Sequence, residues 1–89
     1  MHYLYFLWSE KLQRVYIGET VDVLRRFEYH NQGRQRFTKK GTPWNMIAFV
    51  PFNSKQDALK EERRLKKCKN REYIKKYILE RGKKFIPGG

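Results

Sequence analysis

VYIGETVDVLRRFEYHN, residues 15–31, is the stretch of sequence that decides the fold. Val15 to Ile17 predict a short strand that stops at Gly18 and leads into a helix from about Val21. Thr20 suits the N-cap of that helix, because its hydroxyl can accept a hydrogen bond from a backbone N–H of the first turn. The stretch therefore predicts a strand followed directly by a helix, with a glycine at the junction.

The predicted helix has an apolar side and a polar flank. At about 100° per residue, the apolar side consists of Val23, Leu24 and Phe27. Arg26 and His30 are four residues apart and share one flank of that side, whereas Arg25 points towards water. Together with Tyr16 at the end of the preceding strand, Arg26 and His30 form a compact polar cluster, which is typical of a functional site.

The chain is short and strongly basic. Its 89 residues suit one small domain, which should bury roughly 60–65% of the surface that the unfolded chain exposes. The sequence has 21 Lys and Arg against 9 Asp and Glu, which gives a net charge of +12. A field of this sign and size indicates a polyanionic partner, most often nucleic acid, with an anionic membrane surface as the second choice.

Cysteine content and the first residues indicate the compartment. Cys68 is the single cysteine in the sequence. A single cysteine excludes an intramolecular disulfide and a multi-cysteine zinc site, and this low cysteine content fits a reducing compartment. The apolar run in MHYLYFLW is too short for a membrane span and lacks the basic segment of a signal peptide. We therefore predict a cytoplasmic protein without a membrane partner.

The remaining elements follow from the hydrophobic pattern. Tyr3 to Trp8 predicts a strand that forms an antiparallel hairpin with the strand before Gly18, and Met46 to Phe52 predicts a third strand. Two further helices are predicted, from about Lys55 to Lys67 with Ser54 as N-cap, and from about Arg71 to Glu80. These elements form one domain over residues 1–81, followed by a flexible tail over residues 82–89.

A basic loop, residues 33–42, is predicted between the first helix and the third strand. It interleaves Phe37 with Arg34, Arg36, Lys39 and Lys40. This mixture suits a nucleic-acid contact, because the charges follow phosphates and a ring can stack on a base. The alternative is a solvated loop whose Phe37 packs into the core. Further predicted nucleic-acid contacts are Trp44, Lys66, Lys67 and Lys69.

Glu62 lies on the side of the second predicted helix that faces the core. Ala58, Leu59 and Leu65 define that side, and Glu62 is three or four residues from each of them. A carboxylate at such a position is costly unless it is paired or coordinates a cation. Two interpretations follow: an ion pair with a neighbouring arginine, or a metal ligand.

Five residues together supply the groups that metal-assisted cleavage of a phosphodiester requires: Tyr5, Tyr16, Arg26, His30 and Glu62. A carboxylate can hold one Mg²⁺, which takes only one or two carboxylates. A guanidinium stabilises charge on phosphate oxygens, and a phenol or imidazole can position a water or accept its proton. The structural alternatives are strand aromatics for the tyrosines, an Asp22 ion pair for the arginine and a surface position for the histidine.

Five blocks of the sequence occur in an order that one family shares. Tyr3-Leu-Tyr5 stands at the position of a first half-motif, and Tyr16-Ile-Gly18 is identical to the second. Residues 20–31, 38–44 and 58–62 look like the later blocks, with Arg26 at the family's arginine and Glu62 at its metal-binding glutamate. On these residues the chain resembles the GIY-YIG nuclease superfamily, in particular its small single-domain bacterial members and the catalytic domain of structure-specific repair nucleases.

The resemblance implies an α+β fold, a three-stranded antiparallel sheet flanked by helices. It also implies one divalent metal ion, Mg²⁺ or Mn²⁺, and hydrolysis of a DNA backbone, with repair or recombination as the expected role. By analogy, Tyr16 would act as general base with Tyr5 assisting, and Arg26 would stabilise the pentavalent phosphate. His30 would position water or phosphate, and Glu62 would hold the metal.

Two positions depart from the family's pattern. Tyr3 stands where glycine is typical, and Glu19 follows the second half-motif where some repair nucleases carry a lysine. At this length we also expect no extra DNA-binding or zinc-binding module. An alternative function is therefore a nucleic-acid-binding module whose nuclease activity is vestigial or depends on a partner. DNA is the expected substrate, although phosphate contacts and stacking suit RNA equally, and a partner protein or a homodimer could supply specificity.

Overall fold

Within residues 1–85, which the computed structural model describes, three strands form one antiparallel sheet with the first strand in its middle. β1 (His2–Ser9) pairs with β2 (Arg14–Thr20) on one side and with β3 (Trp44–Phe52) on the other. The helices are α1 (Val23–Asn31), α2 (Lys55–Cys68) and α3 (Arg71–Arg81), and a 3-10 turn spans Lys39–Gly41. This arrangement confirms the predicted α+β fold. None of the helices in this part of the chain has the length and apolar character to cross a membrane.

One face of the sheet carries the apolar core. This core face is defined by Leu4, Phe6, Ile17, Ala48 and Val50, and Leu65 of α2 and Tyr77 of α3 cover it. The strand residues alternate between the two faces, so every second side chain of β1 enters this layer. Burial of each large aliphatic or phenyl side chain contributes roughly 1.5–3 kcal/mol, which makes this face the main source of stability.

The opposite face, which we call the tyrosine face, is defined by Tyr5, Leu7, Trp44 and Met46. Val23 and Phe27 of α1 pack against it. His30 lies one turn further along α1 and is fully buried, so α1 contacts the sheet through positions i, i+4 and i+7. The prediction that Leu24 is buried is wrong: it is 44% exposed, because a contact stripe that continues to i+7 turns position i+1 away from the sheet.

The first helix begins later than predicted. Its N-cap is Asp22, whose carboxylate accepts a hydrogen bond from the Arg25 N–H at 3.0 Å. Thr20 is instead the last residue of β2, and its hydroxyl accepts from the Asp22 N–H at 3.2 Å. The prediction of Thr20 as N-cap is therefore wrong, because a carboxylate two residues later caps the helix. The predicted Ser54 cap of α2 is confirmed, since its hydroxyl accepts from the Asp57 N–H at 3.1 Å.

Part of the predicted flexible tail is bonded to the sheet. Lys83 and Phe49 exchange two backbone hydrogen bonds, at 2.7 and 3.0 Å. The Phe85 ring packs on Phe27, with 5.6 Å between the ring centroids. Residues 82–85 therefore extend the packed domain beyond its predicted end at residue 81, and the remainder of the predicted tail, residues 86–89, lies outside the described residues.

Candidate active site

Tyr5 lies at the centre of the tyrosine face and is 2% exposed. The hairpin register places it opposite Gly18 of β2, and its ring lies across that glycine. A Cβ atom added to Gly18 would lie 2.4 Å from the Tyr5 Oη and 2.5 Å from the Tyr5 Cζ. These distances are far inside van der Waals contact, so Gly18 is required because its bare backbone leaves room for the tyrosine of the neighbouring strand.

His30 is fully buried and has a hydrogen-bond partner on each ring nitrogen. Its Nε2 lies 2.8 Å from the Tyr5 Oη, and its Nδ1 lies 2.8 Å from the Thr38 Oγ1. Burial and, to a smaller extent, the nearby charge of Arg26 together lower the pKa of His30 to about 4. The imidazole is therefore neutral near pH 7, and the structural alternative of a surface histidine is wrong.

The neighbours of His30 favour the tautomer that carries the proton on Nδ1. The Thr38 hydroxyl donates to the backbone carbonyl of Gln35 at 3.4 Å, so its oxygen is left to accept the His30 Nδ1–H. The Nε2 atom is then the acceptor for the Tyr5 hydroxyl proton. Because His30 has no exposed surface, it contacts the site through the Tyr5 hydroxyl rather than through water or phosphate directly.

Tyr16 is the more accessible of the two tyrosines. It is half-buried, and its ring centroid lies 6.2 Å from that of Tyr5 and 5.1 Å from that of His30. The Gln35 side-chain amide donates to the Tyr16 Oη at 3.2 Å. The structure thus brings Tyr5, Tyr16 and His30 together as predicted, with Tyr16 as the phenol that solvent can reach.

Two members of this hydrogen-bonded network were not identified from the sequence. Thr38 sets the tautomer of His30, and Gln35 bonds both the Thr38 hydroxyl and the Tyr16 phenol. Thr38 opens one of the blocks that resemble the family, which is a signal for its importance but not for its partner. Gln35 has no sequence signal, because its contacts arise only from the way the loop folds over the sheet.

Two residues of opposite charge, Arg26 and Glu62, affect the pKa of Tyr5. Burial raises the pKa of the Tyr5 phenol well above its usual value; Tyr16 and Glu62 raise this pKa further, and Arg26 opposes them. The charges of Arg26 and Glu62 thus affect this pKa in opposite directions. The Arg26 guanidinium lies 5.1 Å from the Tyr29 ring centroid, and within residues 1–85 it forms no salt bridge with Asp22, contrary to the structural alternative.

Glu62 is paired with a lysine rather than an arginine. Its Oε2 accepts from the Lys66 ammonium at 2.8 Å, and its side chain is 17% exposed. The same ammonium lies 5.6 Å from the centroid of the Tyr16 ring. Lys66, predicted as a nucleic-acid contact, thus joins the glutamate of α2 to the tyrosine of β2 and belongs to the cluster itself.

A single divalent ion fits this donor set. Within residues 1–85 no group of three or more His, Cys, Asp or Glu side chains could hold a metal. Glu62 would be the carboxylate that holds the ion. Mg²⁺ commonly binds through one or two carboxylates and completes its octahedron with waters and substrate phosphates. Lys66 bonds only the Oε2 of Glu62, so the Oε1 atom remains as a ligand.

Glu19, the residue that departs from the family's pattern, faces away from this cluster. Its Oε2 lies 2.8 Å from the His2 Nδ1, and its partner in the hairpin register is Leu4. Side chains two positions apart on a strand share a face, so Glu19 lies on the same side as Ile17, the core face. It therefore does not point at the position where Tyr5 and Tyr16 would meet a phosphate.

The predicted nucleic-acid contacts divide into exposed cations and one buried ring. The exposed side chains are Arg34, Arg36, Lys39, Lys40, Lys67 and Lys69. Trp44 is 3% exposed, its indole N–H donates to the Thr38 carbonyl at 2.6 Å, and its ring packs beside Tyr16. The burial of Trp44 contradicts its prediction as a nucleic-acid contact, because the indole packs under the loop and donates to its backbone. Phe37 is 85% exposed, so the alternative in which its ring packs into the core is wrong.

The fold and the cluster together define a class of protein. The site comprises two strand tyrosines around one glycine, an arginine and a histidine of the next helix, and a glutamate of a later helix, in the order of the family that the sequence resembles. The family model described as the GIY-YIG catalytic domain matches residues 1–78. The chain belongs to the GIY-YIG family.

Individual relatives agree with this assignment. A UPF0213 protein of Listeria monocytogenes is 36% identical over 81 residues, which cover 90% of this chain and 88% of the relative. The solution structure of a UPF0213 protein of Bacillus halodurans matches with a TM-score of 0.57 and 29% identity, over 91% of this chain and 85% of that one. The structure-specific endonuclease subunit SLX1 homolog of Giardia intestinalis is 45% identical over 58 residues. That match covers 61% of this chain but only 16% of the Giardia protein.

Proposed function

We propose that this protein is a divalent-metal-dependent endonuclease that hydrolyses phosphodiester bonds of DNA. The observation that carries the proposal is the cluster of Tyr5, His30 and Tyr16, to which Lys66 links Glu62. Hydrolysis needs a group that handles the proton of the attacking water and a cation that stabilises the charge on phosphorus-bound oxygens. The cluster offers both within one end of the domain.

Tyr16 is the residue that contacts the attacking water. It is the half-buried phenol of the pair, whereas the Tyr5 hydroxyl already donates to His30. Tyr16, in its phenolate form, accepts one proton of the water as the water oxygen forms its bond to phosphorus, and the leaving oxygen departs with the electron pair of the broken P–O bond. Tyr5 is held in place by its hydrogen bond with neutral His30. Its ring lies beside the Tyr16 ring, which keeps the Tyr16 Oη at one position.

Arg26 and Glu62 supply the two charged groups of the proposed site. Arg26 stabilises the negative charge that grows on the phosphate oxygens, an interaction that is stronger in the transition state than in the substrate. Glu62 would hold Mg²⁺ or Mn²⁺, which when bound supplies a Lewis acid next to the phosphate. Lys66 offsets the charge of Glu62 at 2.8 Å, and it is a second cation available to the substrate.

Branched DNA is the substrate class that the relatives favour. The printed names of the SLX1 homologs of Giardia intestinalis and Cryptosporidium parvum describe structure-specific endonuclease subunits. Each match covers 16% of the length of those proteins, so a role for this chain in repair or recombination, and a partner protein or homodimer that supplies specificity, form part of the proposal.

The test is a cleavage screen with matched pairs of variants. Purified protein is incubated with flaps, forks, four-way junctions, single strands, duplex DNA and RNA, with Mg²⁺, Mn²⁺ or EDTA. We expect cleavage of at least one DNA in the presence of metal, and a loss of about 10²-fold or more in Glu62→Gln and Arg26→Gln. Equal rates in both variants and in the wild type would contradict the proposed mechanism.

Neighbouring residues of the same type serve as controls. Glu61 precedes Glu62 on α2 but bonds Arg64 and the Tyr77 hydroxyl, and Arg25 precedes Arg26 but is exposed. Glu61→Gln and Arg25→Gln should therefore cleave at rates within a few-fold of the wild type. Urea unfolding of all four variants separates loss of activity from loss of folded protein.

A second candidate function is a nucleic-acid-binding module whose nuclease activity is vestigial or partner-dependent. The net charge of +12 favours it, because phosphate binding needs the cations but not the tyrosines. Tight binding that weakens steeply with salt, without cleavage of any substrate in the screen, would support this function over the first.

A further inference from the structure

Phe37 is the most exposed large hydrophobic side chain among residues 1–85, at 85% exposure. A single exposed apolar side chain is ordinary on a protein surface, so exposure alone says little. What distinguishes Phe37 is that residues beside it are hydrogen-bonded to the candidate active site and that the residues flanking it in the chain are cationic.

The residues beside Phe37 are fixed to the candidate active site. Thr38 is fully buried, its hydroxyl bonds the His30 Nδ1 at 2.8 Å, and its carbonyl accepts from Trp44 at 2.6 Å. On the other side, two residues away, Gln35 donates to the Tyr16 Oη at 3.2 Å. Because consecutive Cα atoms are about 3.8 Å apart, the Phe37 ring is presented to solvent from a backbone that lies next to the cluster.

The side chains around the ring are cationic. Arg34, Arg36, Lys39 and Lys40 are all exposed, and within the described part of the chain none of them forms a salt bridge. Unpaired cations flanking an exposed ring form the combination that binds single-stranded nucleic acid, in which the charges follow the backbone and the ring stacks on a base. One ring among four charges offers too little apolar surface to favour insertion into a bilayer.

We propose that Phe37 stacks on an unpaired nucleobase next to the phosphodiester bond at the candidate active site. In an intact duplex both faces of each base are already stacked, so the ring has no partner there. The substrate class is therefore DNA with a single-stranded segment or an extruded base beside the cut. The proposal rests on the proposed function for the position of the cleaved bond, but stacking itself can be measured without cleavage.

The experiment uses the full chain with Glu62→Gln, so that binding is observed without cleavage. The probes are a forked DNA that carries 2-aminopurine in its single-stranded arm and the fully paired duplex of the same sequence. We expect the wild-type loop to quench the 2-aminopurine fluorescence on binding. Phe37→Ala should abolish this quenching and weaken fork binding roughly tenfold, with little change in duplex binding, and Phe37→Trp should restore both signals.

Two controls separate stacking from other effects. Leu79→Ala removes an apolar side chain that is 80% exposed on α3, and it should leave both probes unchanged. Lys39→Ala should weaken fork and duplex alike and reduce the salt dependence of binding, because a phosphate contact does not depend on base pairing.

Each possible result either supports or overturns the stacking proposal. Stacking is supported if Phe37→Ala weakens binding to the fork but not to the duplex, and if Phe37→Trp restores binding to the fork. This conclusion holds even if the wild-type chain cleaves nothing, in which case only the proposed nuclease function fails. Unchanged fork binding in Phe37→Ala, or an equal loss on fork and duplex, overturns the stacking proposal even if the wild type cleaves DNA. Phe37-dependent sedimentation with anionic phosphatidylserine vesicles, without any Phe37 effect on the fork, overturns it in favour of a membrane contact.

Discussion

The two faces of the sheet are equally buried but are stabilised in different ways. Leu4 and Phe6 on the core face are fully buried, as are His30 and Thr38 at the tyrosine face. The core face depends on apolar volume, whereas each polar atom beneath α1 needs a partner at hydrogen-bond distance. That requirement is met, since within residues 1–85 no buried side-chain nitrogen or oxygen lacks a partner. One strand therefore supplies stability on one side of the sheet and directional chemistry on the other.

Substitutions at two adjacent residues of β2 should show the largest difference between the two faces. Tyr16 belongs to the candidate active site, and Ile17 belongs to the apolar core. Tyr16→Phe should lower the cleavage rate by roughly 10²–10⁴-fold with a small change in stability. Ile17→Val should destabilise the fold by roughly 0.5–1.5 kcal/mol and leave the cleavage rate unchanged. Single-turnover cleavage and urea unfolding of both variants provide the measurements, and comparable activity loss in the two would contradict the division of the faces.

A methyl group at Gly18 should disrupt the tyrosine face without touching the core face. The added Cβ would meet the Tyr5 Oη at 2.4 Å, so the ring must move and its bond to His30 must lengthen. We expect a loss in cleavage rate of about 10²-fold, the size of effect that a displacement near 1 Å produces. In a Tyr5→Leu background the same substitution should cost less stability than in the wild type, and an equal cost would rule out the steric explanation.

Substitutions at Thr38 test whether the polar network depends on individual hydrogen-bonding atoms. Thr38→Val keeps the shape but removes the acceptor for the His30 Nδ1–H, and an unsatisfied buried donor costs roughly 1–3 kcal/mol. The ¹⁵N chemical shifts of His30 should show the Nδ1–H tautomer in the wild type and a mixture in this variant. Thr38→Ser should restore the tautomer, which a merely space-filling role for threonine would not predict.

Acidification should destabilise the tyrosine face through His30. Its pKa is about 4 in the folded protein against an ordinary value of 6.5, so between these values the unfolded chain binds the extra proton. The stabilisation is fully present above pH 6.5 and is lost as the pH falls towards 4; the loss is about 1 kcal/mol at about pH 6. An NMR titration of His2→Gln, which leaves one histidine signal, measures the pKa directly, and a value at or above 6.5 would contradict the burial argument.

The parts of the fold that depend on local pattern were predictable. The strand pair, the Ser54 cap and the grouping of Tyr5, Tyr16 and His30 follow from alternation, helical spacing and the resemblance to one family. The N-cap at Asp22, the exposure of Leu24 and the burial of Trp44 were not predicted. Each of these depends on where the helix and the loop rest against the sheet, which no short window of sequence encodes.

The sequence by itself determined which chemical groups are present, their order, and the basic charge that indicates a nucleic-acid partner. Tertiary structure alone decided how those groups are connected: that Gly18 makes room for Tyr5, that Thr38 sets the tautomer of His30, and that Lys66 joins Glu62 to Tyr16. It also decided that Phe37 faces solvent while Trp44 does not. The physical reason is that these contacts act over a few ångströms, between residues that are dozens of positions apart in the chain, fifty in the case of Lys66 and Tyr16.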